Sequence, residues 1–150
     1  SGCIVRFIEF MDVGNVNLWD KRDVLILDDI IDIISKRYSI KSLQGNYKSE
    51  VAKRWSYAGG EFGIISSISK PFCGECSRVR LTAEGKLFTC LFANRSYDIK
   101  NLLRSSESDS SISNYLLDIW SERDDRYSET RMNQDDYKII KKAEMSYIGG

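Results

Sequence analysis

The order of apolar and polar positions in the first third of the chain predicts a strand, a loop and a helix. Residues 4–11 are mostly β-branched or aromatic, and only Arg6 and Glu9 are charged, which is typical of a strand covered on both faces. Polar residues over 12–17 then predict a loop. From residue 25 to residue 38, apolar side chains recur with the period of a helix. They are Leu27, Ile30, Ile31, Ile34 and Tyr38.

The middle of the chain predicts antiparallel strands. Residues 42–47 are loop-like, whereas 52–58 and 62–68 have the composition of strands and are joined by a Gly-Gly pair. Strands over 78–81 and 87–91 form a predicted hairpin. Gly85 lies in the turn of this hairpin and supplies the backbone angle that the turn requires.

Beyond Asn94 the pattern changes to short helices. Residues 98–104 suit a first helix, 105–111 a polar linker, and the apolar positions between 112 and 120 a second helix. The stretch 124–131 is densely charged. A strand and a helix, then antiparallel strands, then terminal helices predict an α+β fold.

Composition narrows the possible classes of function. With 42% hydrophobic and 29% charged residues, the 150-residue chain can bury a core, as one domain or as part of a larger one. Lys and Arg number 22, as do Asp and Glu, so no net charge attracts nucleic acid or an acidic membrane. The apolar stretches are too short to span a membrane and no secretory signal is visible, so we expect a cytoplasmic location. The chain contains no histidine, which excludes the usual general base and Cys/His zinc sites.

Three closely spaced cysteines are the strongest candidates for chemistry. Cys73, Cys76 and Cys90, called the cysteine trio below, follow the pattern C-x2-C-x13-C. Two intervening residues let the first two sulfurs face one metal from a single turn, and Gly74 suggests a turn that tolerates no side chain. A hairpin of about the intervening length would return the third sulfur to the first two.

The spacing of the trio leaves several interpretations open. Cys3 would complete an all-cysteine zinc site, since no histidine is present. Disulfides are disfavoured because nothing indicates secretion. Buried cysteines with accidental spacing are the simplest alternative. The last interpretation is an iron–sulfur cluster with three thiolate ligands and one open iron, and spacing alone does not choose between iron and zinc.

Two arginines follow the second cysteine. Arg78 and Arg80 alternate on a predicted strand, so their side chains are expected on the same face. Paired guanidiniums beside thiolates are suited to an anion, because the arginine fork matches phosphate oxygens. Two solvated arginines on an exposed strand are the alternative.

Several segments of the chain together resemble the MoaA family of molybdenum cofactor biosynthesis, the radical-SAM GTP 3′,8-cyclases. They are residues 6–12, 51–53, 63–69, 73–92, 123–128 and 145–150. The resemblance runs nearly end to end and concerns the C-terminal half of the enzyme. It implies the C-terminal part of an incomplete (β/α) barrel of radical-SAM type, whose opening is covered by antiparallel strands and terminal helices. Residues 1–45 would be the last barrel strand and helix, and 46–150 the C-terminal region that binds a cluster and GTP.

The resemblance also implies a reaction. Family members carry two 4Fe–4S clusters, of which the N-terminal one, held by C-x3-C-x2-C, cleaves S-adenosylmethionine to a 5′-deoxyadenosyl radical. That radical takes hydrogen from the ribose C3′ of GTP, and the product leads to cyclic pyranopterin monophosphate. The C-terminal cluster has three cysteine ligands and an open iron for guanine. The implied partners are GTP, the N-terminal half, a second copy in a homodimer, and the downstream cyclic pyranopterin monophosphate synthase.

Family roles carry over to matching positions. The cysteine trio would ligate the C-terminal cluster, and Arg78, Val79 and Arg80 would line the GTP site. Met11 matches the S-adenosylmethionine contact of the family, and the strand before it places Arg6 near that cofactor.

The end of the chain and its missing motif are also informative. Gly149 and Gly150 match the tail that reaches into the active site, where residues without side chains permit close backbone approach. C-x3-C-x2-C is absent, so we expect no cyclase activity from this polypeptide alone. Cys3 matches no ligand of the family and is interpreted as an ordinary small buried residue. The alternatives are a noncatalytic four-cysteine zinc module and, less favoured, a carrier that uses its Gly-Gly end.

Overall fold

The computed structural model describes residues 2–131 and 142–148 and divides the chain into two compact units. The described part of unit 1 comprises residues 2–12, 18–76 and 128–131. The described part of unit 2 comprises residues 13–17, 77–127 and 142–148. None of the helices in these ranges combines the length and the apolar character needed to cross a membrane.

Unit 1 contains a mixed sheet and a helix. Its strands are β1 (Val5–Ile8), β2 (Lys41–Leu43), β3 (Lys53–Tyr57) and β4 (Gly60–Ile65), in the sheet order β1-β4-β3-β2. β1 pairs with β4 in parallel, whereas β3 is antiparallel to both β4 and β2. The helix α1 (Leu27–Ser35) confirms the predicted period.

The core of unit 1 lies between α1 and the sheet. Leu27 and Ile30 of α1 are buried together with Phe62 and Ile64 of β4. Trp55 stacks on Phe62 with ring centroids 5.7 Å apart. The apolar positions of the predicted helix and strands thus form the buried faces of α1 and of the sheet. Burial of these two faces against each other stabilises the unit.

Two expectations for unit 1 are wrong. The first strand is not covered on both faces: all four residues of β1, the edge strand of the sheet, are exposed, while Glu9 just beyond it is buried. Residues 42–47 are not all loop, because Lys41–Leu43 pairs with Arg54–Ser56 to form β2. A strand of three residues is too short to show a periodic pattern of apolar residues. It forms because a partner strand pairs with it, which the local sequence does not indicate.

Unit 2 contains an antiparallel sheet of β5 (Arg80–Leu81), β6 (Lys86–Phe88) and β7 (Tyr97–Asp98). The predicted hairpin is β5–β6, and Gly85 in its turn has φ of +78°. The Gly85 carbonyl accepts from the backbone N–H groups of Ile99 and Lys100 at 2.9 and 3.1 Å, so the turn is joined to the start of the next helix.

The helices of unit 2 follow the sheet. α2 (Ile99–Arg104) confirms the first predicted helix and is capped by Asp98, which accepts from the Asn101 backbone N–H. The predicted polar linker is too long, since Ser108 already caps α3 (Asp109–Ser121). Leu87, Ile99 and Ile119 form the core of this unit.

The α+β class is confirmed, and one further short helix, α4 (Tyr127–Thr130), precedes Arg131. Within the described ranges the sheets are mixed and antiparallel and neither closes into a barrel. The incomplete radical-SAM barrel and the boundary at residue 45 therefore stay predictions.

Candidate functional site

The first two cysteines of the trio lie on one tight turn in unit 1. Residues Cys73–Glu75 form a 3₁₀ turn, and the Cys76 backbone N–H donates to the Cys73 carbonyl at 3.2 Å. Both cysteines are half-buried. The turn does not need Gly74, because a Cβ there would meet nothing within 4 Å and its φ is not left-handed. The expectation that a side chain would clash at this position is therefore wrong.

The third cysteine follows β6 in unit 2. Cys90 is half-buried, and its Sγ accepts from the backbone N–H of Phe92 at 3.4 Å. The Phe92 ring in turn stacks on Tyr127 with centroids 4.6 Å apart. A sulfur that accepts a backbone N–H has the polarity suited to a thiolate ligand.

The thiols of the trio have the chemistry that an iron–sulfur cluster requires of its ligands. All four cysteines lie within the described residues, and none forms a disulfide. Each member of the trio is half-buried and belongs to the residue type that iron–sulfur clusters select. Among residues 2–131 and 142–148, no group of three Cys, His, Asp or Glu side chains is placed to hold a metal ion.

Cys3 is exposed, so its interpretation as a small buried residue is wrong. It precedes the edge strand β1, where no layer of side chains covers it in the described part of unit 1.

The arginines predicted to bind GTP differ from each other in their surroundings. β5 begins at Arg80, so the prediction that Arg78 shares this strand is wrong. Arg78 and Val79 are exposed in the segment that leads to the strand, whereas Arg80 is half-buried. Arg80 Nη1 lies 3.5 Å from the carbonyl oxygen of Ile148 and donates to it, which ties this guanidinium to the C-terminal segment.

The C-terminal segment is anchored by its aromatic residue. The Tyr147 hydroxyl donates to Glu84 Oε2 at 2.7 Å, and this hydrogen bond to a carboxylate is the main reason that the pKa of Tyr147 is raised. Ile148 is buried. Gly149 and Gly150, the predicted catalytic tail, lie outside the described residues.

The residues predicted to contact S-adenosylmethionine lie at β1. Arg6 Nη2 is 3.6 Å from Glu61 Oε1, and Arg54 donates to the same carboxylate from Nε and Nη2 at 2.8 and 2.7 Å. The hydrogen bonds from Arg54 are the main cause of the lowered pKa of Glu61, and Arg6 adds a smaller Coulombic contribution. The Arg6 side chain also lies over Gly63, where a Cβ would be 2.9 Å from Arg6 Cδ. Met11 is half-buried just beyond this strand.

Sequence reasoning missed two buried acids that shape this region. Glu9 and Asp12 are both almost fully buried in unit 1, and Asp12 forms an ion pair with Arg131. Their positions in or beside an otherwise apolar run indicate that both acids are buried. A buried acid needs an ion pair or hydrogen bonds, so each position also indicates a partner. Arg131 gave no comparable signal because it ends a charged stretch.

Comparison with known proteins gives a consistent set of matches. The family model described as Molybdenum Cofactor Synthesis C matches residues 3–129. The GTP 3′,8-cyclase of Acidothermus cellulolyticus is 42% identical over 175 aligned positions, which cover 100% of this chain and 48% of the relative. The GTP 3′,8-cyclase of Synechococcus sp. is 40% identical over 151 positions, with 99% of this chain and 43% of the relative covered. The GTP 3′,8-cyclase of Xanthomonas campestris pv. campestris is 43% identical over 152 aligned positions, which cover 100% of this chain and 44% of the relative. The chain thus spans about half the length of the curated relatives it matches.

Proposed function

The chain belongs to the Molybdenum Cofactor Synthesis C family, and on that premise we propose that it supplies the part of a GTP 3′,8-cyclase that binds GTP and the C-terminal cluster. The complete enzyme would convert GTP to the precursor of cyclic pyranopterin monophosphate. The observation that carries this proposal is the identity of about two residues in five to proteins with that name along the whole of this chain. A homodimer and delivery of the product to cyclic pyranopterin monophosphate synthase belong to the same proposal.

The cysteine trio would hold a 4Fe–4S cluster. Support comes from the half-buried environment of all three cysteines and from the N–H that Phe92 donates to the Cys90 sulfur. A cluster held by these three cysteines would have an iron without a protein ligand, which would be available to the guanine of GTP. The residues of this chain would bind and orient that cluster, and none of them is assigned as an acid–base catalyst.

The arginine pair would hold the triphosphate of GTP. Arg78 is exposed, and Arg80 is half-buried and donates to the Ile148 carbonyl. Two guanidiniums fit phosphate oxygens through paired hydrogen bonds. Val79 would contribute contact between them. Fixing both ends of GTP orients the ribose, which is a positional contribution to the rate.

The remaining assigned residues would contact S-adenosylmethionine or form the Gly-Gly tail. Met11 and Arg6 would lie beside S-adenosylmethionine, which supplies the radical chemistry when it is bound to the complete enzyme. Gly149 and Gly150 would approach the substrate through their backbone groups. We expect the 150-residue chain by itself to cyclise no GTP with S-adenosylmethionine and reductant, because it contains no C-x3-C-x2-C. Turnover by the isolated chain would refute that expectation.

Iron and sulfide content tests the ligand assignment. After anaerobic reconstitution of this chain, we expect iron and sulfide to bind, and substitution of Cys73, Cys76 or Cys90 by Ser to remove most of both. Cys3→Ser is the matched control, because Cys3 is exposed and has no ligand role in the proposal. Colourless protein that binds zinc and loses it in the Cys3 variant would favour the four-cysteine zinc module instead.

Binding and kinetics of GTP test the arginines. In the complete enzyme, Arg78→Ala or Arg80→Ala should weaken transition-state stabilisation by about 1.5–3 kcal/mol per lost charged hydrogen bond. Arg95→Ala is the control, since Arg95 is an exposed arginine of the same unit. GTP kinetics that stay unchanged in both variants would contradict the assignment.

A further inference from the structure

The C-terminal segment, residues 142–148, is held by a side chain from the opposite end of the chain. Asn15 Nδ2 donates to the Lys142 carbonyl at 2.7 Å, and the Lys142 backbone N–H donates to Asn15 Oδ1 at 2.9 Å. One side-chain amide thus satisfies both backbone groups of one residue, as a neighbouring strand would. An amide is suited to this because it carries a donor and an acceptor side by side.

Glu144 strengthens the same attachment from the segment itself. Its Oε1 accepts from the Asn15 backbone N–H at 3.0 Å and from Asn15 Nδ2 at 2.6 Å. Gly14 precedes Asn15 with φ of +65°, and a Cβ at Gly14 would collide with the Glu144 carboxylate. The loop at residues 14–15 therefore has both the backbone conformation and the absence of a side chain that close approach of this segment requires.

Further contacts hold the start of the segment. The Ala143 backbone N–H donates to the Ala93 carbonyl at 3.3 Å. Lys142 Nζ lies 4.7 Å from the ring centroid of Tyr127 and 5.5 Å from that of Phe92, within the range of cation–π attraction. Phe92 stacks on Tyr127 and also donates its backbone N–H to the Cys90 sulfur.

The far end of the segment contacts the predicted GTP residue. Tyr147 bonds to Glu84 and packs edge-on against Phe88, with centroids 6.2 Å apart. Ile148 is 1% exposed, and its carbonyl accepts from Arg80 Nη1 at 3.5 Å. The Arg80 guanidinium is thus hydrogen-bonded to the same segment that Asn15 holds at its other end.

We propose that Asn15 is a positioning residue, which fixes residues 142–148 so that the Ile148 carbonyl holds the Arg80 guanidinium in its binding orientation. The effect of Asn15 on GTP rests on the proposed function, because it requires Arg80 to bind GTP. The anchoring of the segment by Asn15 does not rest on it and can be measured separately.

Trypsin cleavage of the Lys142–Ala143 bond measures the anchoring. In the complete protein, the hydrogen bonds of Lys142 to Asn15 protect this bond, and Asn15→Ala should speed the release of peptide 143–150 about tenfold, as judged by mass spectrometry. Asn15→Asp retains the acceptor but loses the donor and places a second carboxylate beside Glu144, so it should speed release at least as much. Asn94→Ala, at an exposed asparagine of the same unit, should release the peptide at the wild-type rate.

GTP affinity of the same variants measures the positioning. Asn15→Ala should raise the Kd for GTP about threefold to tenfold, and it should add nothing further in an Arg80→Ala background, because Asn15 acts through Arg80. Far-UV circular dichroism checks that each variant is folded. If Asn15→Ala does not fold, Asn15→Asp serves as the second variant.

The outcomes separate the inference from the function. Wild-type rates of peptide release in both Asn15 variants would overturn the inference outright. Faster release with an unchanged Kd for GTP, or a full effect of Asn15→Ala in the Arg80→Ala background, would also overturn it. A wild-type protein that binds no GTP would instead overturn the proposed function, while the trypsin experiment still decides whether Asn15 anchors the segment.

Discussion

At the scale of single residues, Glu9 joins separate parts of unit 1. Its carboxylate is 1% exposed and accepts from the backbone N–H of Leu27, the first residue of α1, at 2.8 Å. It also accepts from the backbone N–H groups of Ile68 and Ser69 at 2.7 and 2.8 Å, and from the Ser69 hydroxyl at 2.5 Å. A negative charge at the N-terminus of a helix is favourable, and hydrogen bonds to a charged acceptor are strong. Glu9 therefore fixes the path of the chain that leads from β1 to Met11.

Replacing this carboxylate by an amide should destabilise the chain. Glu9→Gln puts an NH₂ group against at least one of the N–H donors, so a hydrogen bond is lost and a buried donor is left unsatisfied. We expect the free energy of unfolding in urea to fall by about 1–3 kcal/mol. Glu107→Gln, at an exposed position, is the control and should change it little. Equal stability of the two variants would mean that the hydrogen bonds of Glu9 contribute nothing net.

The candidate site could be predicted from sequence only as far as local spacing extends. Cys73 and Cys76 share a turn, as their separation by two residues predicts. The bond between Arg80 and Ile148 joins residues 68 positions apart, and the bonds between Asn15 and Lys142 join residues 127 apart. No period or motif in a single sequence records such pairings, because they depend on how the folded chain brings distant segments together.

At the scale of elements, prediction succeeded where one face of an element is buried. α1 and the β3–β4 pair show their period because Leu27, Ile30, Phe62 and Ile64 all pack into one core. β1 has the composition of a buried strand but lies exposed at the sheet edge, since composition does not tell which neighbours cover a strand. The short β2 was missed for the related reason that its cross-strand partner defines it.

The C-terminal segment has a pH dependence that follows from its tyrosine. The hydrogen bond to Glu84 raises the pKa of Tyr147, because it favours the protonated hydroxyl. A raised folded-state pKa means that this bond stabilises the segment fully below the unfolded value of about 10 and is lost as the pH rises through the higher folded value. We therefore expect the protection of the amides of residues 143–148 from hydrogen exchange, taken relative to the intrinsic rate at each pH, to fall at alkaline pH.

Titration of tyrosinate absorbance checks this assignment. The difference between the wild-type curve and that of Tyr147→Phe isolates the Tyr147 hydroxyl, and its midpoint should lie above about 10. In Glu84→Gln the midpoint should fall, because the carboxylate acceptor is removed, whereas Glu107→Gln should leave it in place. A midpoint that does not respond to Glu84→Gln would contradict the role given to this hydrogen bond.

At the scale of the whole molecule, unit 1 is assembled from stretches far apart in the sequence. Residues 128–131 belong to it although the stretch before them belongs to unit 2. The attachment is Arg131, which pairs with buried Asp12 across 119 positions and donates from Nη2 to the Ser67 carbonyl at 3.1 Å. Its guanidinium also lies 5.8 Å from the ring centroid of Trp19. A charged stretch near the end of a chain indicates solvent exposure, so its return into a buried ion pair could not be predicted.

Breaking this ion pair tests whether it holds residues 128–131 in unit 1. Arg131→Met leaves the Asp12 carboxylate buried without its charge partner, and we expect the free energy of unfolding to fall by about 3–5 kcal/mol. Asp12→Leu combined with Arg131→Met removes both charges and should recover much of that loss, because two apolar side chains need no mutual neutralisation. Arg37→Met, at an exposed arginine of unit 1, is the control for lost charge alone. Asp12→Leu alone completes the comparison. If the double variant lost as much free energy of unfolding as the two single variants together, the two side chains would not be coupled and the segment would be held by other contacts.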